Sequence, residues 1–318
     1  MAPDDSASAL AQGVDASSTL KLDNLVTELR AARRAARDAG TQPVRTRDLP
    51  SPAAVESMVQ RLHSALFPRH RGAHDEIESA VDYFVGYNLN EALLGLGEQI
   101  RRELRFSNGH SDASDIETTT NRIVGDFAVE LPRIYTLLAS DIRAAYDGDP
   151  SAKSAEEVLL SFPGTRAIIH HRIAHRLYRL GAPILARIIA EAAHASTGID
   201  IHPGAQIGGH FFIDHGTGVV VGETAIIGER VRLYQAVTLG AKRLPADASG
   251  ALIKGEPRHP IVEDDVVIYA GATILGRVTV GKGSVIGGNV WLTRSVPSNS
   301  NIVQAQARSD VFDGGAGI

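Results

Sequence analysis

The sequence contains no cysteine, so no disulfide framework holds it together and no thiolate metal site exists. That composition suits a reducing compartment, and a cytoplasmic protein is the expectation. No run of about twenty apolar residues is present, so no membrane-spanning helix is expected. An excess of positive charge is also missing. The formal net charge is −5, which leaves no electrostatic footprint for nucleic acid. The acidic, Ala/Ser-rich segment Met1–Ser18 lacks the pattern of a signal peptide and is expected to be loosely held.

With 318 residues the chain exceeds what one core usually holds, so two structural regions are expected. Helical spacing runs over about 20–39, 52–66, 77–106, 116–146 and 155–195, with Gly, Pro, Asn and Asp clusters between several of these stretches. The arginines of the first stretch point to a largely solvated face. An all-α domain is therefore read over residues 19–197. Near Thr197–Gly198 the composition turns sharply to Ile, Val and Gly, and a second domain is read over 198–297.

Within this second domain a single aliphatic residue recurs every six positions. It falls at Ile201, Ile207, Ile213 and Val219, slips by two, and resumes at Val221, Ile227, Leu233 and Leu239. After an insert it continues through Val262, Ile268, Ile274, Val280, Ile286 and Leu292. A six-residue period fits neither a helix nor a simple alternating strand. It marks a left-handed parallel β-helix of hexapeptide repeats, and the fold class expected is α+β. Small residues four places on (Ala205, Thr217, Ala225, Ala272, Ser284) suit a cramped interior. The insert Ala241–Arg258 breaks the rhythm and is read as a loop expelled from one corner. A polar tail is read over 298–318.

Polar groups beside a regular coil are the informative exceptions. Asp214 and His215 follow the inward Ile213 and should both project outward, while Asp200 precedes the inward Ile201. At about eighteen residues per turn, Asp200 and His215 fall on neighbouring sections of successive turns. A carboxylate beside an imidazole fixes its tautomer and supports its positive charge, as a general base requires. A solvated histidine with a corner aspartate fits the same spacing. The basic pair Arg258-His259, where the insert rejoins the coil, suits a carboxylate-bearing ligand.

Several runs together resemble the serine O-acetyltransferase family: Gly198–Gly208, Ile213–Ala225 with its Asp-His-Gly-Thr-Gly, Gln235–Gly240 and Arg258-His-Pro260. Upstream, Asp141–Ala145, Asp149-Pro150 and His170–Arg179 are similar to that family's last helices. The resemblance implies acetyl transfer from acetyl-CoA to the hydroxyl of L-serine, with no metal. It implies His215 as base and Asp200 as its partner, Asp149 and Asp214 toward the substrate ammonium, and Arg258 and His259 toward its carboxylate. A cap preceding Pro150 is an alternative place for Asp149. Backbone around Gly240 and Ala270 is implied for CoA. Ala241 and Tyr269 stand where better-known members carry glycine. Also implied are a homotrimer or a dimer of trimers, L-cysteine as feedback inhibitor, and O-acetylserine sulfhydrylase as a partner of the C-terminal Ile318.

Three rival readings share the coil. One is another acyltransferase, acting on homoserine or a sugar or using a longer acyl-CoA. A second is a metal hydratase of the γ-carbonic-anhydrase type, for which His202, His210, His215 and His259 are the available imidazoles. The third is a non-catalytic assembly scaffold.

Overall fold

The computed structural model describes residues 16–40, 49–70, 77–107, 112–242 and 250–304. The chain divides into two compact units, Met1–Arg47 and Asp48–Ile318. In the first, helix α1 (Ala16–Asp38) begins inside the segment expected to be loose, and Leu22, Leu25, Val26 and Leu29 are exposed on it. Residues 1–15 and the tail from 305, including Ile318, lie outside the described residues.

The second unit begins with α2 (Pro52–Leu66), whose first turn is capped by Ser51 and started by Pro52 at a position where a missing N–H costs nothing. Two long helices follow, α3 (Glu78–Ser107) and α4 (Ala113–Gly148); α4 continues through Pro132. The stretch 155–195, whose spacing predicts continuous helix, is three helices: α5 (Ala155–Ser161), α6 (Pro163–Leu180) and α7 (Pro183–Thr197). Pro163 and Pro183 each open a new helix, and Gly181 ends α6 at φ 97, in the left-handed region. Ala182 at the start of α7 has no capping side chain. Glu103 of α3 replaces it, accepting the N–H groups of Ile184 and Leu185 at 2.8 and 2.9 Å. Among the described residues no helix is long and apolar enough to cross a membrane.

From Asp200 the chain winds as a parallel β-helix. The first coil carries β1 (Asp200–Ile201), β2 (Gln206–Ile207) and β3 (Phe212–Ile213). The second carries β4 (Val220–Val221), β5 (Ile226–Ile227) and β6 (Arg232–Leu233). The third carries β7 (Thr238–Gly240), then the insert, then β8 (Ile261–Val262) and β9 (Val267–Ile268). The fourth carries β10 (Thr273–Leu275), β11 (Thr279–Val280) and β12 (Val285–Ile286), followed by β13 (Trp291–Leu292) and β14 (Asn301–Ile302). Three parallel sheets result: sheet one is β1-β4-β7-β10-β13, sheet two β2-β5-β8-β11, and sheet three β3-β6-β9-β12-β14. Strand β14 pairs with β12 inside the segment read as tail, so the coil runs past Pro297.

The six-residue positions form the core. Leu233, Leu239, Ile268, Ile274, Val280 and Ile286 are fully buried, and Ala205, Ala225, Ala272 and Ser284 fill the corners beside them. Ile207 is the exception, partly buried at the edge nearest the helices. Thr217 is exposed, contrary to the interior place read for it. The cause is the two-residue slip. Ile201 pairs with Val221, twenty residues on, whereas Val221 pairs with Leu239 after eighteen. The extra residues swell the turn after β3, where His215, Gly216 and Gly218 have φ of 58, 90 and 78.

A buried ion pair between two helices also ties them to the coil. Arg172 of α6 grips Asp141 of α4 through two hydrogen bonds of 3.1 Å and also donates to the carbonyls of Ile207 and Gly208. Asp141 in turn accepts the N–H of Phe211 at 2.9 Å, the residue leading into β3. The helix closes on the coil at Gly164, where a Cβ would lie 2.2 Å from the carbonyl oxygen of Ile213.

Candidate active site

Two corners flank sheet one, and the polar residues of interest divide between them. The first corner joins sheet three to sheet one. Here Asp214 and His215 follow β3, Tyr234 follows β6, and Tyr269 and Ala270 follow β9. The His215 side chain is 73% exposed, as expected for an outward residue, whereas Asp214 is only 12% exposed. Asp214 is covered because Arg232 lies over it, donating from Nη2 to Oδ2 at 2.6 Å. Its other oxygen, Oδ1, stands 3.8 Å from Nε2 of His215.

Arg232 is fixed by stacking. Its guanidinium sits 4.9 Å from the centre of the Phe212 ring and 4.7 Å from that of Tyr234. Tyr234 stacks on Tyr269 at 4.9 Å, nearly parallel at 15°. The Arg232 Nε and the Gln235 Oε1 are buried with no hydrogen-bond partner among the described residues.

Asp149 reaches the same corner from the end of α4. It is the C-cap of that helix, not an N-cap before Pro150; the next helix is capped by Ser154. Pro150 cannot continue α4, so the chain turns and Asp149 Oδ1 accepts the N–H and hydroxyl of Ser151, both at 2.8 Å. Those two hydrogen bonds, with Arg232 and His215 close by, hold its carboxyl below the usual carboxylate range.

No hydrogen bond or ion pair joins Asp200 to His215 among the described residues. The Asp200 carboxylate lies with Glu191 and His194 at the end of α7, their ligating atoms within 4.8 Å of one another. The loop carrying His215 nevertheless packs on the residues just before Asp200. Gly218 N–H donates to Gly198 O at 2.8 Å, and Gly216 lies against Ile199.

The second corner joins sheet one to sheet two. His202 follows β1, Gly222-Glu223-Thr224 follows β4, Gly240 ends β7, and Arg258-His259 precedes β8. Arg258 donates to Glu223 at 2.6 Å, and Tyr178 of α6 donates to the other Glu223 oxygen at 3.1 Å. Burial works against the Glu223 charge, but these two hydrogen bonds keep its pKa low. Thr224 organises His259: its amide donates to Nδ1 at 3.1 Å, while its hydroxyl oxygen accepts the N–H groups of Arg258 and His259. That amide bond puts the ring proton of neutral His259 on Nε2. Burial, then Arg258, pushes the His259 pKa down to about 4; burial and Arg187 do the same to His202. Gly222 is required here, since a Cβ would fall 1.9 Å from the His259 ring.

Next to Arg258, a cleft of about 320 Å³ is lined by Lys242, Leu275, Gly276 and Arg277. Gly240 lies in register with Leu275 at its edge, whereas Ala270 stands at the first corner. The carbonyls of Gly240 and Ala270 accept N–H groups of the next coil, from Gly276 and Asn289.

Counting along the coil brings out residues that were not singled out from the sequence. Arg232 is in register with Phe212, and Glu223-Thr224 lies one turn from His202 on one side and one turn from His259 on the other. Among the described residues, the group of metal-ligating side chains within reach of one another contains none of His202, His210, His215 and His259. The four histidines considered for a hydratase are not brought together.

The model of the bacterial transferase hexapeptide family (six repeats) matches residues 259–294. A plasmid serine acetyltransferase of Synechococcus elongatus is 58% identical over 275 residues, covering 85% of this chain and 86% of its own. Among solved structures, Entamoeba histolytica serine acetyltransferase 1 in complex with L-cysteine is 38% identical, with a TM-score of 0.69 over 78% of this chain and 86% of that one. Serine acetyltransferase of Brucella abortus in complex with coenzyme A is 29% identical, with a TM-score of 0.52 over 78% and 93%. With its coil, its paired corners and this identity along most of its length, the chain belongs to the serine acetyltransferase family.

Proposed function

We propose that this chain transfers the acetyl group of acetyl-CoA to the hydroxyl of L-serine, giving O-acetyl-L-serine and CoA, with His215 as general base. One observation carries the assignment: an exposed imidazole, held by a left-handed turn, stands beside two carboxylates of which one is already neutralised by Arg232. Asp149 is left to hold an ammonium group. His215 takes the hydroxyl proton as the thioester carbon is attacked, and the resulting imidazolium protonates the departing thiolate. Asp214 lies nearest the ring and supports that charge. Asp200, on the strand that borders the His215 loop, is the group proposed to orient the ring, and Asp200→Asn then lowers kcat with little change in KM.

Arg258 and neutral His259 receive the substrate carboxylate, and the cleft by Gly240 receives the acyl donor. Among the described residues no hydrogen bond or ion pair joins the two corners. Val220, Trp291 and Tyr269 stay exposed on sheet one and its edge. A closed trimer, in which one copy's first corner faces the next copy's second, covers these residues and completes the site. L-Cysteine, with the same charged ends as serine, competes for it.

The experiment is CoA release from acetyl-CoA with L-serine, homoserine and a sugar, with and without L-cysteine. Turnover confined to serine and suppressed by cysteine is expected; preference for homoserine ends the reading. Mixing His215→Ala with Arg258→Ala after joint refolding restores activity if the site is shared between copies, and restores none if each chain holds a whole site.

A further inference from the structure

Away from both corners, α4, α6 and β2 enclose a cavity of about 290 Å³. Its charged lining is unbalanced. Arg133, Arg176 and Arg179 face it with a single carboxylate, Glu130, which lies 3.6 Å from Arg133 and 3.5 Å from Arg176. Arg179 has no ion pair among the described residues. Arg172 also lines the cavity but is committed to Asp141.

Two polar atoms in the lining are buried and have no hydrogen-bond partner among the described residues: Nδ1 of His171, a residue only 2% exposed, and Nε of Arg176. Buried donors without partners are rare in folded chains, and each usually signals a missing ligand, ion or water. Burial and the neighbouring positive groups keep His171 and His175 uncharged, so they offer N–H groups or lone pairs without adding charge. Three guanidinium groups around a small space match an oxyanion, because each presents paired donors to two oxygens.

We propose that this cavity is a binding site for a small dianionic oxyanion of the sulfate or phosphate type, with Arg176 and Arg179 as its main ligands. The volume admits a tetrahedral anion with a few waters. The inference is independent of acetyl transfer, since no residue of the cavity belongs to either corner.

The test is calorimetric titration of the full chain with sulfate and with phosphate, at constant ionic strength set by chloride. Saturating CoA is present, so that its own cleft is filled. One-site binding is expected, with a rise in Tm of roughly 5 °C at a hundredfold excess over Kd. The double variant R176A/R179A and the separate variant Arg133→Gln remain folded, because Arg179 and Arg133 are exposed and Arg176 is half-exposed. The double variant should lose binding, Arg133→Gln should weaken it, and both should keep wild-type acetyl transfer. Sulfate over phosphate, or the reverse, identifies the source of the anion. Binding unchanged in the double variant overturns the site, as does a wild-type response no greater than that to chloride. A change of oligomer mass in the double variant, without anion binding by the wild type, assigns the arginines to a subunit contact and ends the proposal.

Discussion

At the corner after β3 the backbone turns through left-handed residues and leaves the His215 imidazole in solvent, whereas at the corner before β8 the His259 ring is packed onto Gly222 and buried. The first ring has carboxylates for neighbours and lies open to solvent. The second is pinned by Thr224 and set beside Arg258. A base must gain and lose a proton in each cycle, which favours the exposed ring near negative charge. A group that greets a carboxylate needs fixed geometry and an N–H, which favours the buried, neutral one. Under the proposed roles one residue type serves two purposes, and environment decides which.

The sharpest way to break that contrast is to remove each ring. His215→Ala should lower kcat by about 10²–10⁴ with Tm unchanged. His259→Ala should mainly raise KM for serine. A loss of kcat at His259 as large as that at His215, in the same steady-state assay, would erase the division.

A second substitution acts on the packing that pins His259. Gly222→Ala forces a methyl into the ring, so it should destabilise the fold by about 1–3 kcal/mol and raise KM for serine. Thermal unfolding and serine titration read the two effects separately. Wild-type values in both would show that the ring is free to move aside.

Arg232→Met tests the first corner more gently. It keeps the stacking bulk between Phe212 and Tyr234 but leaves Asp214 without its cation. A fall in kcat/KM of about tenfold is expected, equal to about 1.4 kcal/mol of transition-state stabilisation. An unchanged value would mean that Asp214 does not need Arg232.

How far these corners were legible in the sequence follows from what kind of signal each leaves. The coil was readable because its narrow interior admits one aliphatic side chain per strand, and Leu233, Ile268 and Ile286 fill those places. The two-residue slip between Val219 and Val221 was visible too, although its consequence was not. It swells the turn that carries His215 and pushes Thr217 outward. The roles of Arg232, Glu223 and Thr224 were missed because they depend on vertical stacking between turns, which only register supplies. Asp200 exposes a further limit, since spacing placed it near His215 but not which way its carboxylate turns. The breaks at Pro163 and Pro183 were written plainly, yet a continuous apolar rhythm masked them.

The gentlest probe of the contrast is acid. His259 and His202 at the second corner have folded-state pKa values of about 4, against an ordinary value of 6.5. A histidine whose folded pKa is depressed favours the fold while neutral, so its contribution is complete above pH 6.5. Below that, the unfolded chain takes up protons that the folded chain refuses, and the contribution declines until pH 4, where both states are charged. Tm should therefore fall as pH drops from 6.5 to 4, and His259→Gln should flatten the slope. His202 and His259 both sit at the second corner, so the flattening should be partial in the single variant and larger in His202→Gln/His259→Gln. A double variant with the full wild-type slope would move the acid sensitivity elsewhere, with the buried His171 as the next group to test.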